Sequence, residues 1–196
     1  MDEDFPMLKH QNPRHREETV EWARAMLNSG AVILDFETTG IRNAEIVQIG
    51  MIDMRGQTLM QTLARPRGRI PAEVVKVHGI TDAMVAEAPG FEALYVPFST
   101  LVAGRTVIAY NAAFEEGILQ GVCARRGLPI PRLKEWSCAM KAYARYYGEC
   151  HSRYGGYKWQ SLGKACAQQN IPVRGAHDAL SDCRMTLELI RAMAAG

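Results

Sequence analysis

Asp35 and Glu37 stand two residues apart in the run Ala31-Val32-Ile33-Leu34-Asp35-Phe36-Glu37, which is otherwise apolar. Such a run suits a buried strand, and the period of two puts both carboxylates on one face. A carboxylate there is costly unless it is paired or holds a cation. Two hard oxygen donors side by side suit Mg²⁺ or Mn²⁺. The competing reading is a solvated strand end whose acids close the turn Thr38-Thr39-Gly40. A second pair, His177 and Asp182, falls in the last apolar-periodic segment. A spacing of five advances about 500° on a helix, roughly 140° past a full turn. If Asp182 faces the core, His177 therefore lies beside the site, near the helix start. The third signal is Tyr110-Asn111-Ala112-Ala113-Phe114-Glu115-Glu116. Asn111 is a good N-cap, and acids in a first turn also favour the helix dipole, so Glu115 and Glu116 read equally as capping charges.

These groups need elements to position them. A short helix is expected from Arg16, with Val20, Ala23, Met26 and Leu27 at helical spacing, ending at Ser29-Gly30. Strands are expected at 31–36, 45–54 and 57–64, the last two joined at Arg55-Gly56. Short helices follow, one after Pro71 and one capped by Thr81 or Asp82. The stretch 91–102 is helical in composition, with Pro97 expected to break or restart it. A fourth strand fits 106–110, a helix 112–126, a fifth strand 133–137, and helices 139–147, 159–170 and 177–194. Early strands on short turns, followed by strands alternating with helices, argue one α/β domain with a mixed central sheet flanked by helices. Residues 1–15, charged and without periodicity, read as a flexible polar leader, leaving 16–196 as a single domain.

The bulk composition is ordinary. Of 196 residues, 47% are hydrophobic and 22% charged, which excludes disorder, collagen and a disulfide scaffold. The net charge of +2 is too small for a DNA-packing protein, so any nucleic-acid contact must be local. Five cysteines, an odd number without a C-x-x-C pair, read as reduced thiols filling small apolar sites. The N-terminus carries no apolar signal core, and no apolar run approaches the roughly 18 residues of a membrane span. The expected location is cytoplasmic.

Taken in order, the motifs carry a resemblance. Asp35-Phe36-Glu37-Thr38-Thr39-Gly40 resembles the first motif of the DnaQ-like, DEDDh-type 3′→5′ exonucleases. Val77-His78-Gly79-Ile80-Thr81 resembles their HGIT segment, 111–115 their HNAxFD motif, and 177–182 their HxAxxD motif. The likeness spans roughly residues 31–193. It implies a ribonuclease H-like fold and two divalent cations, Mg²⁺ or Mn²⁺. By the same resemblance Asp35 would bridge both cations, Glu37 and Asp182 would help hold the one that activates water, and Glu115 would take the second-metal position. His177 would be the general base, since imidazole suits proton removal near neutral pH. Two positions depart from the pattern: Glu115 stands where the family has Asp, and Tyr110 where it often has His. Glu116 is a poor substitute for Glu115, because one residue rotates a helical side chain by about 100°.

The resemblance also implies a substrate pocket. Thr38, Thr39 and Gly40 would meet the terminal sugar through backbone N–H groups, and His78, Asn111 and Phe114 would approach the substrate. Turn, packed-loop, N-cap and core roles explain these residues equally well. Residues 132–158 carry six basic residues against two acids, with five interleaved tyrosines. That mixture suits single-stranded nucleic acid or, alternatively, a solvated helix face over core tyrosines. The expected partner is a nucleic acid with a free 3′ end, single-stranded by preference, and no membrane. A homodimer is carried as a further expectation. A polymerase partner is not expected, because the chain stops directly after the last helix. The alternatives are a catalytically weak or inactive nucleic-acid-binding homologue and a polymerase-associated proofreading subunit.

Overall fold

The computed structural model describes residues 12–151, 155–173, 175 and 177–196. Helix α1 (Pro13–Leu27) opens on the Asn12 side chain, which accepts from the Arg14 N–H, with Pro13 at its first position. An Asn cap and a Pro at that place both favour the start. The helix thus begins three residues ahead of expectation and takes in Pro13, Arg14 and His15. Residues 1–11 of the expected leader lie outside the described residues.

Strands β1 (Val32–Thr38), β2 (Ile46–Asp53) and β3 (Thr58–Leu63) form an antiparallel meander. The β2–β3 turn closes on Asp53 Oδ1, which accepts from the Arg55 and Gln57 N–H groups, and Gly56 supplies the positive φ of 89°. Short helices α2 (Ala72–His78) and α3 (Asp82–Val85) lead to α4 (Phe91–Val102). Strands β4 (Thr106–Ala109) and β5 (Glu135–Cys138) then add parallel to β1, giving the order β3-β2-β1-β4-β5. Between and after them run α5 (Ala112–Arg126), α6 (Ala139–Tyr147), α7 (Leu162–Gln168) and α8 (Ala179–Ala195).

Alternation along β1 sorts the two cores. Val32, Leu34 and Phe36 pack with Phe91 and Phe98 of α4 and with Ile118, Leu119 and Val122 of α5. Ile33 joins Ile52 and Ile108 on the other face, under Ala23 of α1, Tyr143 of α6 and Leu187 and Ile190 of α8. Each large apolar side chain buried here is worth roughly 1.5–3 kcal/mol. The expected mixed sheet flanked by helices is the observed architecture.

Helix α4 runs unbroken through Pro97, contrary to expectation. A proline inside a helix costs about 3 kcal/mol or more. Phe91 on one side of it and Phe98 and Val102 on the other are fully buried, and their packing outweighs that cost. Helix α7 is shorter than expected, because Ser161 caps it by accepting from the Lys164 N–H. Helix α8 starts at Ala179, with Asp178 as its cap, so His177 stands outside the helix with φ +64°. Strand β5 begins two residues late and ends one residue late. Among the described residues no helix is long and apolar enough to cross a membrane.

Candidate active site

The alternation that buries Ile33 against α8 also sends Asp35 and Glu37 to that face. Asp35 is the middle residue of β1 rather than near its end, because the strand continues to Thr38 with a bulge between Glu37 and Thr38. Helix α8 lies across β1 and β2 and brings in Asp182 from its first turn. One ligand atom from each of Asp35, Glu37 and Asp182 lies within 4.8 Å of the others. Glu115 comes from the opposite side of the sheet. Strand β4 pairs with β1 only at Val32 and Ile33, so the upper part of β1 is open along that edge. The first turn of α5 fills the opening, and the Phe36 main-chain N–H is turned to the Glu115 carboxylate.

Repulsion and burial dominate the electrostatics. Burial holds the Asp35 carboxyl well above the usual range, and the charges of Glu115, Asp182, Glu37 and Asp178 push the same way. Glu37 is pushed up to about 7 by burial and then by Asp182 and Asp178. Glu115 is raised well above the ordinary value by burial and the Glu37 charge, against the pull of the Phe36 N–H. Asp182 is raised to about 6 by burial, although the charge and main-chain N–H of His177 pull it back. Glu115 Oε2 and Asp182 Oδ1 are buried without a hydrogen-bond partner among the described residues. Among the described residues no lysine or arginine takes part in any of these four shifts. Hard divalent cations fit such an all-oxygen set with orphaned lone pairs.

His177 is exposed. His78 lies near enough for the His177 charge to help lower its pKa, although burial is the larger cause. Its Nδ1 accepts from the Ile80 N–H at 3.0 Å, so Nε2 carries the proton and donates to the Thr38 carbonyl at 3.2 Å. His78 thereby pins the end of β1. The Thr38 hydroxyl donates to the Gly40 carbonyl, and the Gly40 N–H is turned back to that hydroxyl. The Thr39 N–H donates to the Glu45 carbonyl. Two of the N–H groups expected to face a sugar thus already have partners within the loop. Asn111 precedes α5, but its side chain makes no capping hydrogen bond, contrary to the sequence reading. Phe114 packs on the α4–α5 core and lines a 280 Å³ surface cavity with Ile41, Asn43, Ala113 and Arg125.

A family model described as exonuclease (RNase_T) matches residues 32–190. The chain belongs to this exonuclease family. It is 40% identical over 181 residues to the uncharacterized exonuclease CP81 of Escherichia phage 186, covering 89% of this chain and 93% of that one. It is 32% identical to exodeoxyribonuclease 10 of Escherichia coli K12, over 81% of this chain and 66% of the relative. Among solved structures, exonuclease X in complex with 5′ overhanging duplex DNA is 30% identical, with a TM-score of 0.60 over 85% of this chain and 92% of that one. The nuclease domain of 3′hExo, a DEDDh family member bound to rAMP, is 19% identical, with a TM-score of 0.69 over 85% and 92% of the two chains, and shares the fold. The chain is therefore a nuclease with the DnaQ-like, ribonuclease H-like exonuclease fold.

In this exonuclease the basic and tyrosine-rich stretch is not a stacking surface as a whole. Tyr143 and Tyr146 are buried in the α1–α6–α8 core. Arg145 is paired with Glu18, and Lys158 with Glu149 at 2.8 Å. Arg153 and Tyr154 lie outside the described residues. No disulfide joins the five cysteines; Cys123, Cys166 and Cys183 are buried and Cys138 and Cys150 half-buried.

Sequence reasoning missed two residues. Trp159 is 64% exposed, on a segment anchored through Lys158, Gln160 and the Tyr110 hydroxyl, which donates to the Gln160 carbonyl at 2.6 Å. Gln48 is the lone polar residue in the run 46–52 of β2 and reaches α8. That isolation in an apolar strand was a usable signal.

Proposed function

We propose that this chain removes nucleoside 5′-monophosphates from the 3′ end of a DNA strand by metal-dependent hydrolysis. The observation that carries the reading is the convergence of Asp35, Glu37 and Asp182 within 4.8 Å, with partnerless carboxylate oxygens on Asp182 and Glu115. Asp35, Glu37 and Asp182 would hold one divalent cation, and Asp35 and Glu115 would hold a second. When bound, such cations stabilise charge on the attacking and leaving oxygens of an in-line displacement. His177, exposed at the rim, accepts the proton of the attacking water at its imidazole. The P–O3′ bond then breaks, leaving a shortened strand with a new 3′-OH and a free 5′-monophosphate. Closure of the Thr38–Gly40 loop onto Glu45 and His78 keeps the strand end rigid beside the acids. DNA is favoured by two of the relatives of 30% identity or more, one named as an exodeoxyribonuclease and one solved with DNA. The indole of Trp159 gives an unpaired base a face to stack on.

The test is a gel assay on 5′-labelled single-stranded DNA and RNA with Mn²⁺ or Mg²⁺, beside EDTA and Asp35→Ala controls. A ladder shortening from the 3′ end, absent in both controls, is expected, faster on DNA. Intact oligonucleotides under every metal condition would turn the reading into that of a nucleic-acid binder.

A further inference from the structure

Besides the apolar packing of Ile52 and the bond from Cys183 Sγ to the Gly50 carbonyl, strand β2 reaches the start of α8 through the Gln48 side chain. Gln48 lies opposite Glu37 in the β1–β2 register, so it stands beside the acidic cluster. Its Nε2 donates to Asp178 Oδ2 at 2.9 Å, and its Oε1 accepts from the Ala179 N–H at 3.0 Å. Both groups belong to the start of α8. The other oxygen of Asp178 is taken by the Ser181 N–H and hydroxyl, each at 3.0 Å. Two residues along β2, Gly50 has no room for a side chain: a Cβ there would stand 2.4 Å from the Ala179 carbonyl carbon. The start of α8 is thus pressed on β2 at Gly50 and held in register by Gln48. His177 precedes this anchor directly, and Asp182 follows it by one turn.

We propose that Gln48 is a positioning residue for the reaction, setting His177 and Asp182 against Glu37 through the Asp178–Ala179 anchor. This inference rests on the exonuclease reading given above. Both polar atoms of the Gln48 amide are engaged by the start of α8. The amide is suited to the task because one side chain donates to a carboxylate and accepts from a main-chain N–H at once.

The test is Gln48→Met in the full chain, which keeps the side-chain length and removes both hydrogen bonds. Two measurements are made well below the melting temperature. Hydrogen exchange of the segment from 177 to 183 is expected to speed up at least tenfold, with α5 unchanged. On a DNA oligonucleotide, kcat is expected to fall at least tenfold with KM within threefold of wild type. A merely structural role would lower the melting temperature and leave kcat of the folded enzyme alone. Unchanged kcat, or unchanged exchange, overturns the proposal. Should Gln48→Met not fold, Gln48→Ser is read in the same way. If the wild-type chain degrades no oligonucleotide, the exonuclease reading fails by itself, while exchange still reports whether Gln48 anchors α8.

Discussion

Raising the pH should destabilise the metal-free protein and strengthen its response to divalent cations. The folded-state pKa of Glu37 is about 7 against an ordinary 4.5, and that of Asp182 about 6 against 3.8. The folded state therefore holds protons that the unfolded chain has released. The associated stability is fully present below the unfolded values and is lost as pH rises through about 7. Each shift corresponds to about 3 kcal/mol. The two acids repel each other, so the sum is not additive, and this pair is expected to contribute about 3–5 kcal/mol between pH 4.5 and 8, with the raised Asp35 and Glu115 acting in the same direction. At roughly 2–4 °C per kcal/mol for a chain of this size, the melting temperature in EDTA should fall by roughly 6–20 °C over that interval. His78, whose pKa is lowered chiefly by burial, contributes a smaller opposite slope below about pH 6.5. The lowered Glu92 and Glu149 act below this window. The assay is a thermal melt from pH 4.5 to 8, with and without Mn²⁺, on wild type and on Glu37→Gln/Asp182→Asn. The double variant should make the EDTA curve shallower, the remaining slope coming from the buried Asp35 and Glu115 carboxyls. Mn²⁺ at about 100 times its dissociation constant should restore about 2.7 kcal/mol to wild type at pH 8. A wild-type EDTA curve that is flat or rises toward pH 8 would falsify the electrostatic account.

Three further outcomes can be checked. Glu115→Gln keeps the side-chain shape and removes a charge, so titration calorimetry should show Mn²⁺ affinity at least tenfold weaker, with stability in EDTA at pH 8 raised. Arg126→Met removes a guanidinium whose side chain is 2% exposed and which binds Glu45 and Glu92; urea unfolding should show a loss of about 3–5 kcal/mol. Trp159→Ala should raise KM for single-stranded DNA roughly 5–100-fold at nearly constant kcat, and an unchanged KM would remove the indole from the strand path.

The strand that carries Asp35 and Glu37 was legible because two acids in an apolar run at period two have few inexpensive explanations. Asp182 was legible only in combination with them, since an acid in the first turn of a helix is ordinary. Pro97 was misread because local propensity knows nothing of Phe91, Phe98 and Val102 packing on both sides of it. Tyr143 and Tyr146 were open to misreading for the mirror reason: composition cannot say which way a helix faces, and α6 turns both rings into the core. Trp159 is exposed because Gln160 is the residue buried in that segment, a choice made by Glu149 and Tyr110, both remote in sequence.

Four acids gathered at one end of a sheet impose a cost that the rest of the fold must cover. Removing the charge from any one of them should therefore stabilise the cation-free chain while weakening the site, a trade expected where function needs an unfavourable arrangement. The packing around them bears this load at identifiable places. Gly50 lets α8 close on β2, Gln48 fixes its register, and Arg125 and Arg126 tie the far end of α5 to Glu45. Each contact restrains an element that carries an acid without itself touching the reacting atoms. A loosened anchor would let the carboxylates drift apart and relieve their repulsion, so the chain would gain ease in its cation-free state and lose affinity for the ions. Rigid positioning of mutually repelling groups, rather than their presence alone, is what prepares this site to bind cations.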